Sequence, residues 1–312
     1  MTVVDSLRGL ALGDAFGEQW FLLPASEVDG ALAARRVPLG SWPWTDDTAM
    51  AQVLVAHLHA HGTVDQDALA MEFALAYQAD PHRAYGGSMH GVLLAILAGE
   101  PWRSVTTSQF DGQGSFGNGA AMRVAPLGVW LADDLDAVVE QARRQALVTH
   151  AHPEAVAGAI AVAVAAAVNS VGVEGLLEAV LAHVPNGEVA TGLRRATRLR
   201  PSLDPRHAAG TLGCGYRISA ADTVPFAIWC AARHPDDLVE ALWATASAGG
   251  DVDTTCGIVG GVVAARTGLA GVPAEWLTSC EPVRPVRQPP VVSAVRLSTA
   301  SRRSQTEARP AR

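Results

Sequence analysis

The sequence predicts an all-α fold, built as one compact multi-helix domain, and three observations carry that prediction. Apolar residues recur at spacings of three and four through nine separate segments. No series of strands with period-two alternation is present, and the Asn-Gly turn in Pro185-Asn186-Gly187 joins two helical patterns. A typical globular chain places about a fifth of its residues in strands, so their near absence is informative. The heavy use of Ala fits as well, because small side chains let helices approach closely.

Taken in order, the helical patterns cover 46–61, 65–79, 119–131, 134–149, 153–170, 173–184, 222–233, 236–248 and 254–267. Start signals accompany several of them: Asp65, Asp134, Pro153 with Glu154, and Pro235-Asp236-Asp237. The apolar stretch from Ala155 to Val168 is Ala-rich and bounded by His-Pro-Glu and Asn-Ser. Spanning a bilayer takes roughly 20 residues, so this segment is expected to be a buried helix. Residues 21–44 read as a Pro/Gly-punctuated connection and 106–118 as a glycine-rich loop. Residues 1–280 form the expected domain. Residues 281–312, rich in Pro, Arg and Ser without periodicity, read as a disordered tail.

Charge and cysteine use narrow the function classes. All 23 basic residues are Arg, so lysine nucleophiles and Schiff bases are excluded. The tail carries seven Arg against Glu281 and Glu307, which leaves −13 on residues 1–280 against −8 for the whole chain. Such a body is a poor partner for nucleic acid, except as a modified substrate, or for an anionic membrane. Cys214, Cys230, Cys256 and Cys280 form no C-x-x-C pair, and the opening residues carry Asp5, Asp14 and Glu18 rather than a signal-peptide pattern. A monomer in the cytoplasm is the expectation.

Two acidic clusters stand out. Thr45-Asp46-Asp47-Thr48 opens one helical pattern, and Gly249-Gly250-Asp251-Val252-Asp253-Thr254 opens another some two hundred residues later. Taken singly, each reads as capping: a Thr at the N-cap and carboxylates favoured by the helix dipole. Taken together they offer four carboxylates and neutral hydroxyls without Cys or His, a donor set suited to hard divalent cations. The stretch from Gly112 to Arg123 is neither a P-loop nor a dinucleotide fingerprint, since no Lys exists and no strand precedes it. Its glycines permit backbone N–H groups to face an anion. Gly87-Ser88-Met89-His90-Gly91 is only a faint nucleophile elbow. His57, His59 and His61 are expected on the surface, with no third zinc ligand in view.

Gly13-Asp14-Ala-Phe-Gly17, Trp44-Thr-Asp-Asp-Thr48, Gly114-Ser-Phe-Gly-Asn-Gly-Ala-Ala-Met-Arg123, Thr149-His150 and Gly249-Gly-Asp-Val-Asp-Thr254, in that order, resemble the ADP-ribosylglycohydrolases. This family includes dinitrogenase reductase-activating glycohydrolase and the ADP-ribosyl-acceptor hydrolases, and the likeness covers about residues 5–280. It implies an orthogonal all-α fold with two Mg²⁺ or Mn²⁺ ions. By motif position, Thr45, Asp46, Asp47, Asp251, Asp253 and Thr254 would be metal ligands. Ser115, Phe116, Gly117, Asn118, Gly119 and His150 would hold the diphosphate and neighbouring ribose of ADP-ribose. The implied reaction cleaves the C1″ bond between ADP-ribose and a protein side chain or related acceptor, with Asp46 or Asp253 orienting or deprotonating the water. The acceptor stays open among arginine, serine, a nucleic-acid base and a small metabolite. One departure is visible: many members carry Glu seven residues after the first Asp, where this chain has Phe21, and Glu18 stands one turn after Asp14. A non-catalytic ADP-ribose-binding relative is therefore the alternative reading. A third, a His-Asp metal phosphohydrolase, lacks any His-Asp dipeptide here.

Overall fold

Gly9, Gly13 and Gly17 recur every fourth residue and so share one face of a helix. A computed structural model describes residues 2–283, and in it that face touches another backbone directly. Seventeen helices are found among the described residues: α1 (Val3–Leu22), α2 (Ala25–Ala33), α3 (Asp46–His61), α4 (Gln66–Ala79), α5 (Gly87–Leu97), α6 (Trp102–Gly112), α7 (Gly119–Met122), α8 (Ala125–Trp130), α9 (Leu135–Leu147), α10 (Pro153–Ser170), α11 (Leu176–Leu181), α12 (Glu188–Ala196), α13 (Pro205–Leu212), α14 (Ala220–Arg233), α15 (Leu238–Ala246), α16 (Val252–Thr267) and α17 (Ala274–Ser279). No strand occurs among them; only two isolated bridges form, Trp42 with Cys280 and Gly117 with Ser219. The all-α expectation holds.

The tightest pairing is α1 against α16, antiparallel. A Cβ on Gly9 would overlap the Gly260 carbonyl and the Ala264 side chain, one on Gly13 the Cys256 carbonyl, and one on Gly17 the backbone of Val252 and Asp253. Gly260 returns the contact from the other side, against the Gly9 carbonyl. Around the later turns of α1, Phe16 stacks on Trp276 at 4.8 Å and meets Trp243 edge-on at 5.2 Å and Trp42 at 6.1 Å. These rings clamp the half of α1 that carries Asp14.

α10 forms the centre, packed by α7, α8, α9, α14 and α16. By length and composition it passes as a membrane span, yet 78% of it is buried inside the protein, as expected of an Ala-rich core helix. Caps match the sequence signals: Asp65 accepts from Asp67 N and Ala68 N, Asp134 from Ala137 N, and Asp237 from Glu240 N. His152 caps α10 with Pro153 in its first turn.

The structure departs from the expected helices in several places. α1, α5, α12, α13 and α17 had no pattern to announce them; α1 is buried on nearly all sides, and such a helix shows no apolar stripe. Residues 21–44 contain α2, and α6 runs into the supposed 106–118 loop, breaking at Gln109–Asp111, where Phe110 and Asp111 adopt positive φ. The 119–131 pattern divides into α7 and α8, with Pro126 at the start of the second. Residues 284–312 of the expected tail lie outside the described residues. Glu281 belongs to the body: its backbone N donates to the Trp42 carbonyl, and its carboxylate takes a bidentate pair of bonds from Arg83 at 2.7 and 2.9 Å. Arg83 also lies 3.7 Å above the Trp44 ring and donates to the Trp44 carbonyl, so the segment leading into α3 is clipped to the end of the body.

Gly13→Ala is expected to destabilise the protein by about 3 kcal/mol, the upper end for a methyl forced against rigid backbone. Gly30→Ala in α2, with nothing within 4 Å of its added Cβ, is expected to be neutral or stabilising. Urea denaturation midpoints of the two variants test the contrast.

Candidate active site

The backbone contact between α1 and α16 brings together residues that the chain keeps far apart. Asp14, directly after Gly13, is fully buried and receives four donors: Thr45 N at 3.0 Å, Thr45 Oγ1 at 2.9 Å, Thr48 N at 3.1 Å and Thr48 Oγ1 at 2.5 Å. It thereby fixes the first turn of α3, where Asp46 and Asp47 are both buried. From the opposite side the start of α16 supplies Asp251 at the N-cap, with Asp253 and Thr254 in the first turn. Asn118 Nδ2 ties the glycine-rich segment to this group, donating to Asp251 Oδ2 at 2.6 Å and Thr223 Oγ1 at 3.0 Å.

These elements enclose a cleft of about 390 Å³, within the usual range for a small-molecule site. Asp46, Asp47, Asp251, Asp253 and Thr254 line it, as do Ser115, Phe116, Gly117, Asn118, Gly119 and His150. Eleven of the twelve residues singled out in the sequence therefore converge on it. Thr45 stands behind the cleft wall, its hydroxyl donating to Asp14 and lying 3.4 Å from Asp47 Oδ2.

The electrostatics are those of crowded, desolvated acids. Burial, then the neighbouring Asp14, pushes Asp46 and Asp47 well above the usual carboxylate range. Burial, then Asp251, does the same to Asp253. Burial raises Asp14 to about 6 even though its four hydrogen bonds pull the other way. Asp47 feels both Asp251 and Asp253, so the two clusters interact as one group. Asp47 Oδ1 and Asp253 Oδ1 are buried without any hydrogen-bond partner. Orphaned acid oxygens beside the Thr45 and Thr254 hydroxyls fit divalent cations, which would satisfy the oxygens and cancel the repulsion.

Behind the site lies one buried cation. Arg123 is fully enclosed over the Phe73 ring and donates to Gln145 Oε1 and the Gln145 carbonyl, both at 2.9 Å, and to Thr149 Oγ1 at 2.8 Å. Burial lowers its pKa to about 9, and the charge of Asp46 partly restores it. Thr149 Oγ1 also lies 2.8 Å from His150 Nδ1. Arg123 donates to that hydroxyl and Nδ1 is the acceptor within its reach, so its own proton is assigned to Nδ1 and His150 to the Nε2–H tautomer. Nε2 lies against Gly117 and Gly119, where a Cβ on Gly119 would fall within 3.0 Å of it. Burial, then Arg123, holds the imidazole down at about 3, so it faces the cleft as a neutral donor.

Sequence reasoning left Asp14, Arg123 and the cleft residues Phe110, Arg217 and Ile218 without roles. The glycines flanking Asp14 are the signal that would have found it. Ser88 also lines the cleft at the start of α5, whereas His90, whose Nδ1 lies 2.8 Å from Tyr77 OH, does not. His57 is buried, contrary to the surface expectation, and with His61 it converges on Glu72. Asp65 N donates to His57 Nε2 at 2.9 Å, which leaves the proton on Nδ1, 2.7 Å from Glu72 Oε2. Both ring nitrogens are thus occupied, and none of the three residues lines the cleft.

Seventeen helices around an acid-lined cleft define the class, and the chain belongs to the ADP-ribosylglycohydrolase family, whose model matches residues 2–306. Among its relatives, ADP-ribosylhydrolase ARH3 of mouse is 34% identical over 275 residues, covering 76% of this chain and 73% of that protein. Human ADP-ribosylhydrolase ARH3 is 34% identical over 277 residues, covering 76% and 74%. The uncharacterized protein YegU of Escherichia coli is 29% identical over 299 residues, covering 83% and 88%. A solved structure titled ADP-ribosylglycohydrolase-related protein complex superposes with a TM-score of 0.61 at 26% identity, covering 89% and 92% of the two chains.

Two outcomes follow from the site's charges. An acid whose folded pKa is raised stabilises the fold below its unfolded value and loses that contribution as pH rises through the folded value. Metal-stripped protein is therefore expected to lose thermal stability from about pH 4 upward, through the value of about 6 held by Asp14, and Mn²⁺ or Mg²⁺ to restore it at pH 7 but not at pH 4. Thermal melts in EDTA and in each metal measure this. For His150, ¹⁵N shifts are expected to show a protonated Nε2 and an unprotonated Nδ1 from neutral pH down to about pH 4, a pattern lost in Thr149→Val and kept in Thr149→Ser.

Proposed function

We propose that the protein is a metal-dependent hydrolase that cleaves the C1″ glycosidic bond of ADP-ribose joined to a protein side chain or related acceptor, releasing ADP-ribose. The observation that carries this reading is the pair of orphaned carboxylate oxygens of Asp47 and Asp253, buried opposite a glycine loop and a neutral histidine donor. Asp46, Asp47, Asp251 and Asp253, with the Thr45 and Thr254 hydroxyls, would hold two Mg²⁺ or Mn²⁺ ions, which supply Lewis acidity toward ribose oxygens and water when bound.

The chain's own groups account for the rest. Phe110 and Phe116, exposed at the cleft with ring centroids 5.3 Å apart, offer faces to a nucleobase. His150 Nε2–H and the backbone around Ser115–Gly119 offer donors to the diphosphate or the neighbouring ribose. Asn118 holds Asp251 in place from the same loop. As the bond from C1″ to the acceptor breaks, positive charge develops on the sugar, and the surrounding carboxylates stabilise it. A water oxygen attacks C1″, Asp46 or Asp253 takes its proton, and the departing acceptor is protonated.

Four free cysteines accord with work in the cytoplasm, and we read the protein as a monomer there. Phe21, in place of the glutamate of many relatives, favours the second reading, a non-catalytic ADP-ribose binder. ADP-ribose release from arginine-, serine- and nucleic-acid-linked substrates, each with Mg²⁺, Mn²⁺ and EDTA, separates the two. Hydrolysis is expected from one class, abolished by EDTA and reduced about 100-fold or more in Asp46→Asn or Asp253→Asn. Binding of ADP-ribose with no release from any substrate would establish the second reading instead.

A further inference from the structure

Beside the reaction cleft lies a second, more open one of about 530 Å³. The two share Asp251 and Ile218, so this neighbour adjoins the acid wall where the bond to the acceptor would break. Three aromatic residues line it, Trp20, Phe21 and Tyr216, and its only charged residues are Asp29 and Asp251.

Backbone contacts fix the segments that carry these rings. Phe21 lies four residues after Gly17 and so continues the face of α1 that abuts Asp253. Tyr216 follows Gly215, whose added Cβ would overlap the Asp251 side chain. The loop carrying Tyr216 is held by Gly215 N to the Asp222 carbonyl and Arg217 N to Asp222 Oδ2, both at 2.9 Å. It also forces Ile218, a β-branched residue, to a φ of 51°, strain of the kind that gathers at functional sites.

Phe21 is 52% exposed and Tyr216 84% exposed, and neither ring meets another aromatic ring among the described residues. Two bare aromatic faces beside a reaction cleft call for an occupant. The charges select its chemistry. Asp251 belongs to the ion-holding wall, which leaves Asp29, 91% exposed with Arg206 at 3.8 Å, as the free charge of this space, and no Arg or His lines it. A phosphate-bearing acceptor would be repelled. A serine hydroxyl would leave both ring faces unused. A guanidinium is planar and always charged, stacks on aromatic rings and pairs with carboxylates.

Resting on the hydrolase reading above, we propose that this second cleft is the acceptor subsite and that Phe21 and Tyr216 select an arginine-linked ADP-ribosyl group. Phe21 then supplies a stacking face for the leaving group. The bond broken runs from C1″ to a guanidinium nitrogen, water supplies the hydroxyl at C1″, and the nitrogen regains a proton.

The test compares ADP-ribosyl peptides of one sequence linked through arginine or serine, and an ADP-ribosylated oligonucleotide. kcat/KM is expected to favour the arginine conjugate over both others by about tenfold. Phe21→Ala and Tyr216→Ala should each raise its KM about threefold, with kcat nearly unchanged and the Kd of free ADP-ribose unaffected. Phe21→Tyr should retain the wild-type KM. Faster cleavage of the serine or oligonucleotide conjugate would overturn the assignment, as would discrimination that survives in both alanine variants. If nothing is cleaved, the hydrolase reading fails, and the affinities of the intact conjugates decide the subsite. Binding of the arginine conjugate no tighter than free ADP-ribose would overturn it, and a preference lost in Phe21→Ala and Tyr216→Ala would sustain it.

Discussion

Everything in the cleft depends on two helices meeting backbone to backbone. The glycine face of α1 and the start of α16 approach so closely that no side chain separates them. The acids at Asp14 and at Asp251 and Asp253 share one site because of that approach. A wider spacing would still bury the apolar surface of both helices, but it would separate the two carboxylate groups. The aromatic rings around Phe16 serve the same end, since they hold the second half of α1 against α15 and α17 while its glycines face α16.

The second constraint is charge. Three buried aspartates, Asp14, Asp46 and Asp47, and two half-buried ones, Asp251 and Asp253, gather around one cleft, and the one arginine buried among the described residues, Arg123, is engaged by Gln145 and Thr149 rather than by a carboxylate. Asp14 differs from the others in having its oxygens fully satisfied by Thr45 and Thr48. It acts as a fixed post that sets the first turn of α3, while Asp47 and Asp253 keep oxygens free. One set of like charges is thus divided between structure and chemistry by hydrogen bonding alone.

Much of this was legible in the sequence because it rests on local signals. The starts of α3 and α16 were readable from Thr and Asp at helix openings, and the glycine loop from its composition. The family likeness then joined them into one site. What escaped depends on the third dimension. α1 has no apolar stripe because neighbours surround it, and Asp14 had no role until its four donors were placed. Thr149 gained meaning only when Arg123 and His150 were found on either side of its hydroxyl. Thr45 reads as a cap and as a ligand with equal ease, and the structure shows its hydroxyl turned toward Asp14. Phe21 was noticed as a missing acid, whereas its position shows the ring that replaced it.

The clip of Glu281 onto Arg83 and the Trp42–Trp44 segment bears on how the molecule comes into being. Synthesis delivers α1 well before its partner α16, which emerges only after some 230 further residues, and the clip later still. Contacts of such long range form late. On the ribosome the acids at 14, 46 and 47 therefore wait without their counterparts at 251 and 253. A nascent or prematurely ended chain has no cleft to fill, and only the full-length body can assemble one.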